Sequence, residues 1–329
     1  MQSKSLSLLA TALVVFTAAA RAHEGDHAAN DDSYDNQSQV TIKTDADKRL
    51  IDANGLPDHK PGAFPNRGNP NEISPQHYHF EMPLKPHAAA EPIPVRRYLF
   101  GVALNGVVFD PGTAEVWKPG DKIVSRPGPG TRMQPGLDRS RIWNYEGMGR
   151  MNLGIDSSHA HVQPTGAYHY HGLPTGLIER LRKNETKPQM LLIGYAADGY
   201  PIYAEYGHET AADANSLLKK LRSSYQLKKG RRPTGDDGPG GMYDGTFVQD
   251  YEFTEGSGDL DQANGREGVT PEYPAGTYYY VVTDAFPFIP RYFHGEPDRS
   301  FEKQLGPPPG GRDGPPSGPR GPRGRRPLR

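Results

Sequence analysis

The stretch HAHVQPTGAYHYHGLP, residues 159 to 174, places four of the chain's twelve histidines within thirteen positions. Histidine changes charge closest to neutral pH, and its neutral ring is the commonest transition-metal ligand. The spacing is H-x-H, a turn, then H-x-H again. In a strand, residues two apart point to one face. His159 and His161 therefore share a face, as do His169 and His171, while Tyr168 and Tyr170 take the opposite one. Between the pairs, Pro164-Thr165-Gly166 fits a three-residue hairpin loop, with Gly166 in the left-handed position that closes it. Folding at Thr165 sets Gln163 against Ala167, His161 against His169 and His159 against His171. All four imidazoles then form a two-by-two array, with opposed Cβ atoms about 4.5–5.5 Å apart.

Such an array has no obvious packing purpose. The rings repel if protonated, and each needs hydrogen-bond partners if neutral and buried. A cation answers both needs. Nitrogen ligands select copper or zinc over calcium or magnesium, and copper wins where it is present. The predicted ligands are His159, His161, His169 and His171, with Tyr168, Tyr170 and Asp198 as candidates for the surrounding shell. The competing reading is a cross-strand aromatic and hydrogen-bonded network without metal, and a slip of one residue in register sends one pair to the other face. Other polar residues that could finish the site are Asp156, Tyr200, Tyr203, His208, Asp284 and His294. The loop DLDQANGREGVTPE (259 to 272) superficially resembles a calcium loop, but Gly265 is one place off and the twelfth position is Thr270 rather than Glu. His23 would offer an amine and a ring together if cleavage exposed it.

The elements that must hold these residues read as mainly β. YLFGVALNGVVFD carries an Asn105-Gly106 hairpin turn, and MLLIGYAADGYPIYAEYG repeats the device at Asp198-Gly199. GTYYYVVTDAFPFIPRYF opens as a buried strand, and DGTFVQDYEFTEG is another short one. One amphipathic helix is expected in TAADANSLLKKLRSSYQLKKG, where Leu217, Leu218, Leu221 and Tyr225 share a face and Gly230 offers a stop. The expectation is a single sandwich-like β domain over 91 to 300, with short strands, hairpins and that helix, flanked by disordered ends. Residues 23 to 90 are polar and rich in turn residues, with QHYHF (His77, His79) a short extended patch that could dock. Residues 301 to 329 form a Pro/Gly/Arg-rich tail that carries six arginines against Asp313 from Gly306 on, fit for an acidic surface partner.

The N-terminus, MQSKSLSLLATALVVFTAAARA, reads as a secretory signal peptide over 1 to 22, which predicts a secreted or periplasmic protein. The absence of cysteine excludes disulfides, thiolate metal sites and cysteine nucleophiles. A net charge of −1 gives no handle for specific nucleic-acid binding. Glycine (39) and proline (33) are frequent enough to disfavour long uninterrupted elements. There is no G-x-S-x-G elbow, no P-loop and no H-E-x-x-H.

GAYHYHGLPTGL resembles the signature of the YHYH-domain proteins, a secreted family named for Tyr168-His169-Tyr170-His171. GVALNGVVFDPGTAE (101 to 115), GYAADGYPIY (194 to 203) and NGREGVTPEYPAGTYYYVVTDAFPFIPRYF (264 to 293) are similar to its recurring blocks. The resemblance implies one domain over most of 91 to 300 and names no activity. Many relatives place cysteines near these blocks, and this chain has none. Three functions follow from the residues: a secreted copper- or zinc-binding domain, a metal-dependent enzyme in the same pocket, or a cell-surface or matrix domain without metal.

Overall fold

A computed structural model describes residues 37–126, 132 and 141–303. The expectations for the signal peptide, His23 and the basic tail beyond 303 lie outside these residues.

Glycine at the predicted bends decides the topology. Gly106, Gly166 and Gly199 have φ of 80°, 85° and 92°, a region a side chain rarely enters. Each closes an antiparallel hairpin of the central sheet. In chain order, a first sheet is built from β1 (Val40–Asp45), β2 (Lys48–Ala53) and β3 (Tyr78–Pro83). The central sheet takes β4 (Gly101–Ala103), β5 (Val108–Phe109), β6 (Ala160–Val162), β7 (Tyr168–Tyr170), β8 (Leu192–Ala196), β9 (Pro201–Tyr203), β10 (Gly265–Gly268) and β11 (Thr277–Val281). Its eight strands run in the order β10-β11-β9-β8-β4-β5-β7-β6. Neighbours are antiparallel except β5 with β7 and β9 with β11. Four two-stranded pairs complete the described strands, among them Ala88–Pro94 with Tyr292–Gly295. The described residues are thus mainly β, and no helix among them is long and apolar enough to cross a membrane.

The core joins both sheets. Ile51, Phe80 and Met82 from the first pack in one cluster with Val102, Phe109, Tyr168, Tyr170 and Tyr280 from the second. Burying each such side chain stabilises the fold by about 1.5–3 kcal/mol. Residues 37 to 90 are therefore an integral layer, where composition suggested little order. The segment between β2 and β3 compensates for its few apolar groups with polar ones. Asn69 and Asn71 each donate Nδ2–H to the Val162 carbonyl at 2.8 Å, covering the free edge of β6.

The single α-helix among the described residues is Thr175–Arg182, directly after the histidine hairpin. The leucine-rich stretch predicted to be helical is instead two strand pairs, Tyr206–His208 with Leu218–Lys220 and Tyr225–Leu227 with Tyr251–Phe253. Leu217 is 78% exposed while Leu221 is buried, so the stretch shares no common helical face. The tail also begins later than expected, because Phe301 is buried in the core and Lys303 still belongs to the site described next.

Candidate metal centre

The site is the β6–β7 hairpin. Gln163 N–H bonds Ala167 O at 2.9 Å and Gly166 N–H bonds Gln163 O at 2.8 Å, which makes the three-residue loop. The register is the predicted one: Val162 faces Tyr168, His161 faces His169 and Ala160 faces Tyr170.

Three imidazoles converge on one face. The Nε2 atoms of His169 and His171 lie 3.0 Å apart, and those of His171 and His161 lie 3.1 Å apart. The far nitrogens fix the tautomers. His161 Nδ1 is 2.9 Å from Leu153 O and His169 Nδ1 is 3.2 Å from Ala167 O. A carbonyl only accepts, so the proton sits on Nδ1 in both rings and their Nε2 lone pairs are bare. His171 Nδ1 is buried without a partner. The neutral trio thus has at most one proton to share among three facing nitrogens, and two lone pairs can be left opposed. Burial pushes His169 down to about 3 and His161 below its usual value. Burial, followed by the charges of His161 and His169, pushes His171 well below its own. All three rings are therefore uncharged at neutral pH.

His159 does not join them. Its backbone keeps register, its carbonyl accepting His171 N–H at 2.7 Å, but its φ is 54°. Asp156 causes this. Its Oδ1 accepts Ser158 N–H and Ala160 N–H at 2.9 and 3.1 Å, winding the entry to β6 into a turn. The His159 ring swings out, and its Nδ1 lies 2.9 Å from Leu173 O.

Tyr168 and Tyr170 point to the other face and meet residues 58 to 62. Tyr168 OH donates to Asp156 Oδ2 at 2.7 Å, and the same oxygen accepts Gly62 N–H at 2.9 Å. Tyr170 OH lies 2.9 Å from His59 Nε2 and accepts Asn105 Nδ2–H at 3.0 Å. Burial holds both phenols far above their ordinary range, so they remain protonated. They support the strand from behind and take no place around the imidazoles. Asp198 is also elsewhere: it accepts Tyr280 OH and, at 2.9 Å, Gly295 N–H, and burial pushes it up to about 6.

The remaining candidates are dispersed. His294 stacks on Tyr278 at 3.7 Å, with Tyr200 edge-on to both rings. Tyr203 bonds Thr270 and Glu272, His208 bonds Ser216 O, and Asp284 pairs with Lys220. In the calcium-like loop, Asp259 pairs with Lys219, and Asp261 is occupied by the Ala263 and Gly265 amides and by Tyr278 OH.

Three residues that the local sequence does not signal complete the site. Asp110 follows β5, whose Val108 lies beside His169, and its own N–H bonds Tyr170 O at 3.0 Å. Its buried carboxylate accepts from Lys303 Nζ at 2.6 Å and Gly112 N–H at 3.1 Å. Gly147 packs beside His171 Nδ1, where a Cβ would stand 2.8 Å away. Next to it, buried Glu146 binds Arg291 Nη2 through both oxygens, at 2.8 and 2.7 Å. The parallel pairing of β5 with β7 joins segments some sixty residues apart and leaves no periodic trace.

His161 and His169 open onto a cavity of about 460 Å³ that also reaches Asp110 and Lys303. The family model described as "YHYH protein" matches residues 79–295. The chain belongs to the YHYH family. No curated protein and no solved structure matches it. The family's signature tetrapeptide is strand β7 with the next residue, so its alternation separates two histidines for the cluster from two tyrosines for the core.

Proposed function

We propose that this YHYH protein is exported and binds one transition-metal ion, copper or zinc, through His161, His169 and His171. The observation that carries the reading is the convergence of three Nε2 atoms, two of which have their proton committed to the opposite side of the ring. Tetrahedral nitrogens about 2.1 Å from an ion stand about 3.4 Å apart. Separations of 3.0 and 3.1 Å need to open by only a few tenths of an ångström. A cation also removes the opposed lone pairs, and the carbonyls of Leu153 and Ala167 orient the ligands as outer partners of metal-binding histidines do. Export is supported by the leader pattern of residues 1 to 22.

Three protein ligands would leave a position open on a bound ion, and His161 and His169 line the cavity. That favours a reachable ion over a sealed one, so a metal-dependent enzyme at the same pocket is the second reading. The test is metal content of the full chain after expression through a secretory route. Wild type and His159→Ala are expected to hold one equivalent, and His169→Ala none. Metal-free wild type, or full occupancy in His169→Ala, overturns the reading.

A further inference from the structure

The cavity in front of the histidines has the chemistry of an anion receptor. Three cations, Arg96, Arg132 and Lys303, meet two carboxylates, Asp110 and Glu115, on its walls. Lys303 is committed to Asp110 at 2.6 Å. Arg132 stands 3.9 Å from Glu115, whose carboxyl burial pushes up toward the neutral form. Arg96 has no carboxylate within ion-pair distance among the described residues. Its φ of 30° is left-handed, in a turn closed by Tyr98 N–H on Val95 O at 2.8 Å. A non-glycine residue keeps such a backbone only where its surroundings impose it, and such residues gather at ligand sites. Leu153, Val162 and Pro164 supply an apolar wall beside these charges.

We propose that the cavity takes a small organic carboxylate, its acid group on the open position of the ion, its charge matched by Arg96, and its apolar body against Leu153, Val162 and Pro164. The inference rests on the metal reading. An ion alone attracts any anion; the unpaired arginine beside an apolar wall is what selects a carboxylate with a hydrophobic body over a small inorganic one. A cavity of about 460 Å³ lies within the range of small-molecule sites.

The test uses the full chain loaded with Cu²⁺, its metal content measured first, so that failure to bind metal is read separately from failure to bind the acid. Benzoate is the probe, with benzamide, acetate and inorganic phosphate as comparisons, and the visible ligand-field band is the readout. Benzoate is expected to shift the band at about millimolar concentration or below. Benzamide should leave it unchanged, and acetate and phosphate should bind more weakly. Arg96→Gln should weaken benzoate about fivefold at unchanged metal content, with Arg96→Lys restoring part of the loss. A copper-loaded protein whose band ignores benzoate overturns the proposal. So does acetate or phosphate binding as tightly as benzoate, benzoate binding the metal-free protein equally well by titration calorimetry, or an Arg96→Gln protein indistinguishable from wild type.

Discussion

Gly147→Ala perturbs the site without removing any of its nitrogens. A Cβ at 147 would stand 2.8 Å from His171 Nδ1 and 3.3 Å from the neighbouring ring carbons. That is about 0.6 Å inside ordinary contact. The φ of Gly147 is not among the left-handed ones, so the backbone accepts alanine and the strain falls on the ring. His171 is 2% exposed and has little room to retreat except toward the other two Nε2 atoms. Overpacking of this kind costs about 1–3 kcal/mol. If an ion must push the nitrogens apart while the methyl pushes them together, that cost appears in binding, as about a 5- to 150-fold weaker affinity. The assay is competition against a chromophoric chelator, with thermal unfolding of the metal-free protein recorded in parallel. A Gly147→Ala protein that folds and binds metal as tightly as wild type, while His171→Ala binds none, would refute the placement of His171 between the other two ligands.

Tyr170→Phe should lower stability by about 1–3 kcal/mol, because His59 and Asn105 lose a buried partner, and should leave metal stoichiometry unchanged; urea unfolding and metal content measure the two. The metal-free protein should lose stability as pH falls. His169 titrates at about 3 when folded and about 6.5 when unfolded, so between those values the unfolded chain binds a proton that the folded one refuses; a melting-temperature series should decline over that window, and less steeply in His169→Leu. Arg291→Met leaves Glu146 buried and unpaired, at a cost of about 3–5 kcal/mol, and Arg291→Met with Glu146→Gln should recover much of it, as chemical denaturation would read.

How far the site was legible follows from what each feature depends on. The hairpin register was readable because one left-handed glycine and a two-residue period fix it locally. Strand alternation does not reach His159, which lies one residue before β6 in a turn imposed by Asp156. The leucines at 217 to 221 mimic a helical face, whereas the helix itself starts after Pro174 and buries only Leu177 and Ile178, too short a face for a periodic signal. The order of residues 37 to 90 was hidden because amide and imidazole hydrogen bonds to the rest of the domain, such as Asn69 to Val162 and His59 to Tyr170, do work that hydrophobicity scales do not register. Asp110 and Lys303 meet across nearly two hundred residues of chain, which no local pattern encodes.

The opposed faces of β7 impose a rule on how this motif can change. A backbone with a two-residue repeat cannot gain or lose one residue between Tyr168 and His171 without exchanging its sides. Phenols would then enter the polar cavity, and imidazoles would confront His59 and Asn105. Replacement of single side chains is open to the protein here; a change of length is not, because it would break up the imidazole cluster and unfasten the amino-terminal layer in one step.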